Sequence, residues 1–241
     1  VIDDYYNEQE QWERVKQWLR ENGPWIVLGI LLGLGALAGW RWWEQRVEQR
    51  LQSASAAYGL MLDTLAAGER DKALLMADEL RREHGNIAYA DQADLLAARA
   101  DVEAGKLGEA VLRLARVMKG SKDAQLRLVA RARLARVQLA QKNADAALAT
   151  LSGAQPGAFA ALYEAIRGDA LYAKGDRVAA LAAWRKAEAT VTADAVAGAA
   201  PTVDAAALQL KIADLLADGV QDAAPATIAA PAGPAPVAVK P

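Results

Sequence analysis

Cysteine is absent from this 241-residue chain, and histidine occurs once, at His84. The first absence excludes disulfides, thiolate metal sites and cysteine nucleophiles. The second leaves no imidazole pair for a common metal or acid–base site. His84 lies in RREHG at the end of a predicted helix, where a cation complements the helix dipole and Gly85 supplies a stop, so it is expected to act as a cap. An excess of one charge is missing too. The formal net charge is −2, and beyond Trp40 about 25 basic residues stand against about 24 acidic ones, which gives no field to hold nucleic acid. The scattered carboxylates read as solvated helix faces. No set of residues assembles a catalytic site, so the expectation is a protein that is not an enzyme and needs no cofactor.

What the chain does have is one long apolar run, PWIVLGILLGLGALAGWRWW, from Pro24 to Trp43. No charged side chain occurs between Asn22 and Trp40. At about 1.5 Å per residue such a run covers roughly the 30 Å of a hydrocarbon core. Trp25 at one end and Trp40, Trp42 and Trp43 at the other suit the headgroup level of a bilayer, and Arg20 and Arg41 close the run with charge. Ala36-Leu37-Ala38 resembles a signal-peptide cleavage site. The leading segment is acidic, however, with Asp3, Asp4, Glu8, Glu10, Glu13 and Glu21, whereas a secretory n-region is positive. An uncleaved transmembrane anchor over 24–43 is therefore expected, with the bilayer as one partner. Its flanks tie in positive charge, Arg14, Lys16 and Arg20 against Arg41, Arg46 and Arg50, so the charge rule assigns no orientation. Within the run, Gly29, Gly33 and Ala36 fall within roughly 60° of one another on a helix, a strip of small residues suited to contact with another spanning helix.

Before the anchor, Trp12, Val15, Trp18 and Leu19 recur at helical spacing, which predicts a short amphipathic segment over 1–23 or a frayed polar extension. After it, Val47, Leu51, Ala54, Tyr58, Met61 and Leu65 alternate spacings of four and three, so the helix is expected to continue with one apolar seam. That seam serves either a coiled-coil dimer or, better suited to its small Ala54 and short length, packing on the next helix of the same chain.

The rest is Ala- and Leu-rich with helical periodicity, broken by LAAGERDKA, EAGKLGEA, AQKNADAA and YAKGDRVAA. Aligning the breaks puts Gly68, Gly105, Lys142 and Gly175 at the turn, spaced 37, 37 and 33 residues apart, with Ala73, Ala110, Ala147 and Ala180 five residues later. A period near 34 with a small residue early in the second helix is the pattern of tetratricopeptide helix-turn-helix units. In the last unit Gly168, Ala180, Trp184 and Ala187 occupy that repeat's glycine, small, bulky and alanine positions. A further helix over about 203–216, with Leu208, Ile212 and Leu215 on one face, would cap the stack. The fold class expected is all-α, a single N-terminal transmembrane helix followed by a tetratricopeptide-like α-solenoid over 44–218. An Ala/Pro-rich tail over 219–241 is expected to be disordered.

GILLGLGALAGWRWW, SASAAY, LRLARVQLAQKNADAALATL, RGDALYAKGDRVAALAAWRKA and LQLKIADL, in that order, resemble the YfgM family of bacterial inner-membrane proteins, over about residues 8–216. The resemblance implies an ancillary subunit of the SecYEG translocon, associated with a membrane-anchored periplasmic chaperone bearing a parvulin-type domain. It also implies a cytoplasmic N-terminus, a periplasmic C-terminal domain and possible contact with unfolded secreted chains. Mapping the family's groove-facing positions selects Arg99, Arg136 and Asp169, with Gln92, Leu139 and Tyr172 nearby, as a partner-binding groove. The alternatives are an ordinary wet surface at these positions, a binding site on the helix edges or in the membrane, and a self-associating envelope scaffold unconnected with secretion.

Overall fold

The computed structural model describes residues 3–85, 87–197, 200 and 202–220, with side chains from Trp12 onward except at 26. The expected tail therefore lies, from 221 on, outside the described residues. Between Leu60 and Met61 the chain divides into two compact units.

The first unit is formed by helix α1 (Asp3–Ala66) up to Leu60. Its stretches Trp12–Trp25 and Val27–Ala66 meet at a 42° bend. Pro24 lies inside the helix just before it, and a proline there removes one backbone donor and crowds the preceding turn. Among the described residues no single helix is long and apolar enough to cross a membrane; this bent pair meets the requirement only together, by length and composition alone. Leu28, Leu31, Leu32, Leu34 and Leu37 are all exposed, as are the four tryptophans of the run. Arg46 lies 4.7 Å over the Trp42 ring, a cation–π contact at the end of the apolar stretch.

The second unit takes the last turns of α1, where Met61 and Thr64 are buried and the Thr64 hydroxyl meets Met76 Sδ at 3.6 Å. It continues through α2 (Arg70–His84), α3 (Ala88–Glu103), α4 (Leu107–Gly120), α5 (Ala124–Ala140), α6 (Ala144–Leu151), α7 (Ala160–Ala173), α8 (Arg177–Val196) and α9 (Ala205–Ala217). The predicted breaks are the turns α1–α2, α3–α4, α5–α6 and α7–α8, and all four have one geometry. Gly68, Gly105, Lys142 and Gly175 have φ of 83°, 74°, 61° and 85°. At each, the next amide reaches back five residues to a carbonyl: Glu69 to Thr64 at 3.1 Å, Lys106 to Asp101 at 2.8 Å, Asn143 to Gln138 at 2.9 Å and Asp176 to Leu171 at 3.0 Å. This double closure satisfies carbonyls that a helix end leaves open. Asn143 and Asp176 then accept from Ala146 and Ala179 at 3.1 Å, capping α6 and α8.

The small residues predicted after each turn, Ala73, Ala110, Ala147 and Ala180, are fully buried, so the paired helices approach almost to backbone contact. Successive units share cores. Leu95, Leu114 and Leu134 join α3, α4 and α5; Leu151, Tyr163 and Ile166 join α6 and α7; Trp184, Leu208 and Ile212 join α8 and α9. Each helix pair thus buries its apolar face on its neighbours, the nearest-neighbour logic of a solenoid. Helix α9 carries the three buried residues expected of it and ends in the same turn, with Gly219 at φ 79° and Val220 donating to Leu215 at 3.1 Å. It therefore occupies the first-helix position of a further unit, not only that of a cap.

Gly85 ends α2 differently from the expectation. Its φ of −56° is right-handed, so the stop does not use glycine's freedom at positive φ. Arg81 instead covers the helix end, donating to the Gly85 carbonyl at 3.0 Å.

Candidate functional site

The first helices of the repeats, α3, α5 and α7, lie edge to edge, with α5 packed on both neighbours. This surface brings Arg99 from α3 and Arg136 from α5 together around one pocket of about 290 Å³. Its apolar walls are Leu95, Val102, Leu114 and Val137. A third arginine, Arg133, lines the same pocket and donates from Nη1 to the Leu95 carbonyl at 3.4 Å. Arg99 is held by Glu103, four residues on, at 2.8 Å, and Glu103 also faces Arg70 at 3.6 Å. Among the described residues neither Arg133 nor Arg136 has a carboxylate within ion-pair distance. Partial burial of its guanidinium, and then the like charges of Arg99 and Arg136, hold Arg133 below the ordinary arginine pKa. The pocket is thus a greasy slot with unneutralised positive charge at its rim.

The other expected groove residues have different surroundings. Gln92 is half-buried on α3. Leu139 packs partly into the α5–α7 core. Asp169 accepts the Trp184 indole N–H at 3.0 Å and the Lys211 ammonium at 2.6 Å. Tyr172 lies 5.7 Å, ring to ring, from the same Trp184. Asp169 and Tyr172 therefore belong to a cluster that locks α7 to α8 and α9, separate from the arginine pocket. Gly29, Gly33 and Ala36 are exposed on α1, and a Cβ added at either glycine meets nothing within 4 Å. Arg133 escaped the sequence reading, although a signal existed: α5 holds Arg127, Arg131, Arg133 and Arg136 and no acidic residue.

The reading of the carboxylates as solvated is corrected on α3. Asp91, Asp94 and Asp101 are buried, and they are paired from neighbouring helices. Arg81 of α2 reaches Asp91 at 2.7 Å and Asp94 at 2.8 Å. Arg113 of α4 donates to Asp101 at 3.0 Å and grips Asp78 with both terminal nitrogens, while Arg116 reaches Asp94 at 3.3 Å. Burial works against the Arg113 charge, but the hydrogen bonds and charges of Asp78 and then Asp101 outweigh it, so its pKa rises above the ordinary arginine value. Every charge taken from water here has a partner, the condition for a buried ion network to persist. The network ties α2, α3 and α4 together. Among the described residues no group of three or more His, Cys, Asp or Glu could hold a metal.

A family described as "Tetratricopeptide repeat-like domain" matches residues 16–217. A protein of Escherichia coli (strain K12) named "Ancillary SecYEG translocon subunit" is 37% identical over 190 residues, covering 79% of this chain and 90% of its own. Proteins of the same name from Haemophilus influenzae and Neisseria gonorrhoeae are 29% and 28% identical, with 75% and 80% of this chain covered, and 88% and 92% of theirs. Among solved structures, MamA from Desulfovibrio magneticus RS-1 superposes with a TM-score of 0.48 at 18% identity, over 68% of this chain and 93% of that one. With the repeat family matched over most of its length and such a relative covered almost end to end, this chain belongs to the tetratricopeptide repeat-like family of the ancillary SecYEG translocon subunits.

Proposed function

We propose that this protein is a non-enzymatic, membrane-anchored adaptor of the Sec translocon, in the bacterial inner membrane, with its repeat domain on the periplasmic side. The domain docks a partner protein there, a periplasmic chaperone with a parvulin-type domain or an emerging secreted chain. The observation that supports docking most directly is the pocket shared by α3 and α5, where an apolar slot is rimmed by Arg133 and Arg136 with no carboxylate partner among the described residues. A buried chain interior has no use for such a slot; a groove that grips another chain does. The relatives' shared name supports the translocon link. The exposed leucines and tryptophans of α1 support a bilayer as the surroundings of the first unit.

Site-specific photocrosslinking in native membranes tests the proposal. Probes beside Gly29 and Gly33 should capture translocon subunits, and probes beside Arg99 and Arg136 should capture a periplasmic protein. If neither translocon subunits nor a chaperone are ever captured, the adaptor function is wrong, and capture of a second copy alone would establish the self-associating scaffold instead.

A further inference from the structure

The α3–α5 pocket carries information about the chemistry of whatever enters it. Its walls are aliphatic: Leu95, Val102, Leu114 and Val137. Its rim is cationic, and the cations do not balance one another. Arg99 is neutralised by Glu103 at 2.8 Å, whereas Arg133 and Arg136 are not, and the helix that bears them contains no acidic residue. Arg133 spends one terminal nitrogen on the Leu95 carbonyl across the pocket at 3.4 Å, which holds its guanidinium at the mouth with its other donors unspent.

Two arginines three residues apart on one helix face repel each other, and burial, followed by the like charges of Arg99 and Arg136, lowers the pKa of Arg133. The arrangement is disfavoured in the isolated chain and is relieved by an anion. Arg81 and Arg113, by contrast, each engage two carboxylates or more. An aliphatic slot of about 290 Å³ accommodates one side chain of leucine size or larger, not a folded surface.

We propose that this pocket receives an extended acidic segment of a partner protein, an apolar side chain seated between α3 and α5 and carboxylates on either side paired with Arg133 and Arg136. Arginine's planar fork matches a carboxylate bidentately. The inference deepens the docking function by naming the chemistry of the docked segment, and rests on that function for the partner being a protein.

The test uses the full chain in a neutral detergent and a fluorescein-labelled peptide with a central leucine flanked by glutamates, followed by anisotropy. A counterpart with lysines in place of the glutamates and vesicles with or without phosphatidylglycerol are measured alongside. The glutamate peptide should bind and the lysine peptide should not. Arg133→Gln with Arg136→Gln should weaken binding about tenfold or more and flatten its salt dependence. Lys119→Gln with Lys122→Gln, which removes two exposed charges outside the pocket, should bind like the parent, and circular dichroism checks that each variant is folded. Equal binding of both peptides, or unchanged binding by the arginine pair, overturns the proposal. So does arginine-dependent attachment to anionic vesicles without peptide binding, which would make the ligand a lipid headgroup. Peptide binding in a protein that never crosslinks to the translocon or to a chaperone would leave this proposal standing and defeat the adaptor function. Translocon capture without peptide binding would do the reverse.

Discussion

Gly168 in the middle of α7 shows how one absent atom can fix a repeat. A Cβ built there would collide with Cδ1 and Nε1 of Trp184, and the indole has little freedom to retreat. Its N–H is held by Asp169 at 3.0 Å and the Ala165 carbonyl at 3.3 Å, and Lys211 covers its face at 5.5 Å. Two effects compete in Gly168→Ala. Alanine is the better helix former by roughly 0.5–1 kcal/mol, while forcing bulk into a filled core costs about 1–3 kcal/mol. Overpacking should win, so the variant is expected to unfold at lower urea concentration, with a net loss of about 1–2 kcal/mol. Far-UV circular dichroism follows the unfolding, since six further tryptophans on α1 would dilute the Trp184 fluorescence. Equal or greater stability would show that Trp184 can leave its position at no cost. The pair Gly168 and Trp184 was legible in the sequence because the repeat's own pattern places them. Asp169 was legible only as a polar first-helix residue, since its partners come from 15 and 42 residues further along the chain.

Among the elements, the turns that join the helices within each repeat are the most readable and also contain the one irregularity. Positive φ favours glycine, and Gly68, Gly105 and Gly175 announce three of the four turns. Lys142 does not, and was placed only by register from its neighbours. Its φ of 61° puts a side chain where the left-handed backbone costs about 1–2 kcal/mol. Lys142→Gly removes that strain, and glycine's larger unfolded-state entropy returns part of it. A net gain of roughly 0.5–1 kcal/mol is expected in chemical unfolding. No gain would mean that the Lys142 side chain makes up for its backbone. The helix faces were less readable than the turns. Asp91, Asp94 and Asp101 fall at i, i+3 and i+10 on α3 and so share one face, yet carboxylates on an alanine-rich helix look solvated until their partners are known. Those partners, Arg81 on α2 and Arg113 and Arg116 on α4, are set by how three helices stack, which local sequence does not encode. The arginine pocket was half legible for the same reason. Arg99 and Arg136 followed from mapping the family's groove-facing positions onto the repeat alignment, while Arg133, which has no counterpart there, emerged only when α3 and α5 were seen to share a slot.

At the scale of the whole molecule, the two units expose different surfaces. From Met61 to Val220 the buried apolar residues are gathered into cores shared by successive helices, as water demands. Up to Leu60 the longest apolar run of the chain is exposed all round its helix, as a bilayer tolerates and water does not. Three cations flank each end of that run, so the positive-inside rule leaves the orientation open. A large domain translocates with little regard to its charge, so the tie does not hold the repeat domain inside. The repeat domain is accordingly expected outside the inner membrane. Externally added protease should leave it intact in whole cells, digest it in spheroplasts, and digest it in detergent-lysed cells as a control for access. Protection in both cells and spheroplasts, with digestion only after lysis, would place the domain in the cytoplasm. The arginine pocket would then face cytoplasmic chains, and docking at the exit side of a translocon would be physically excluded.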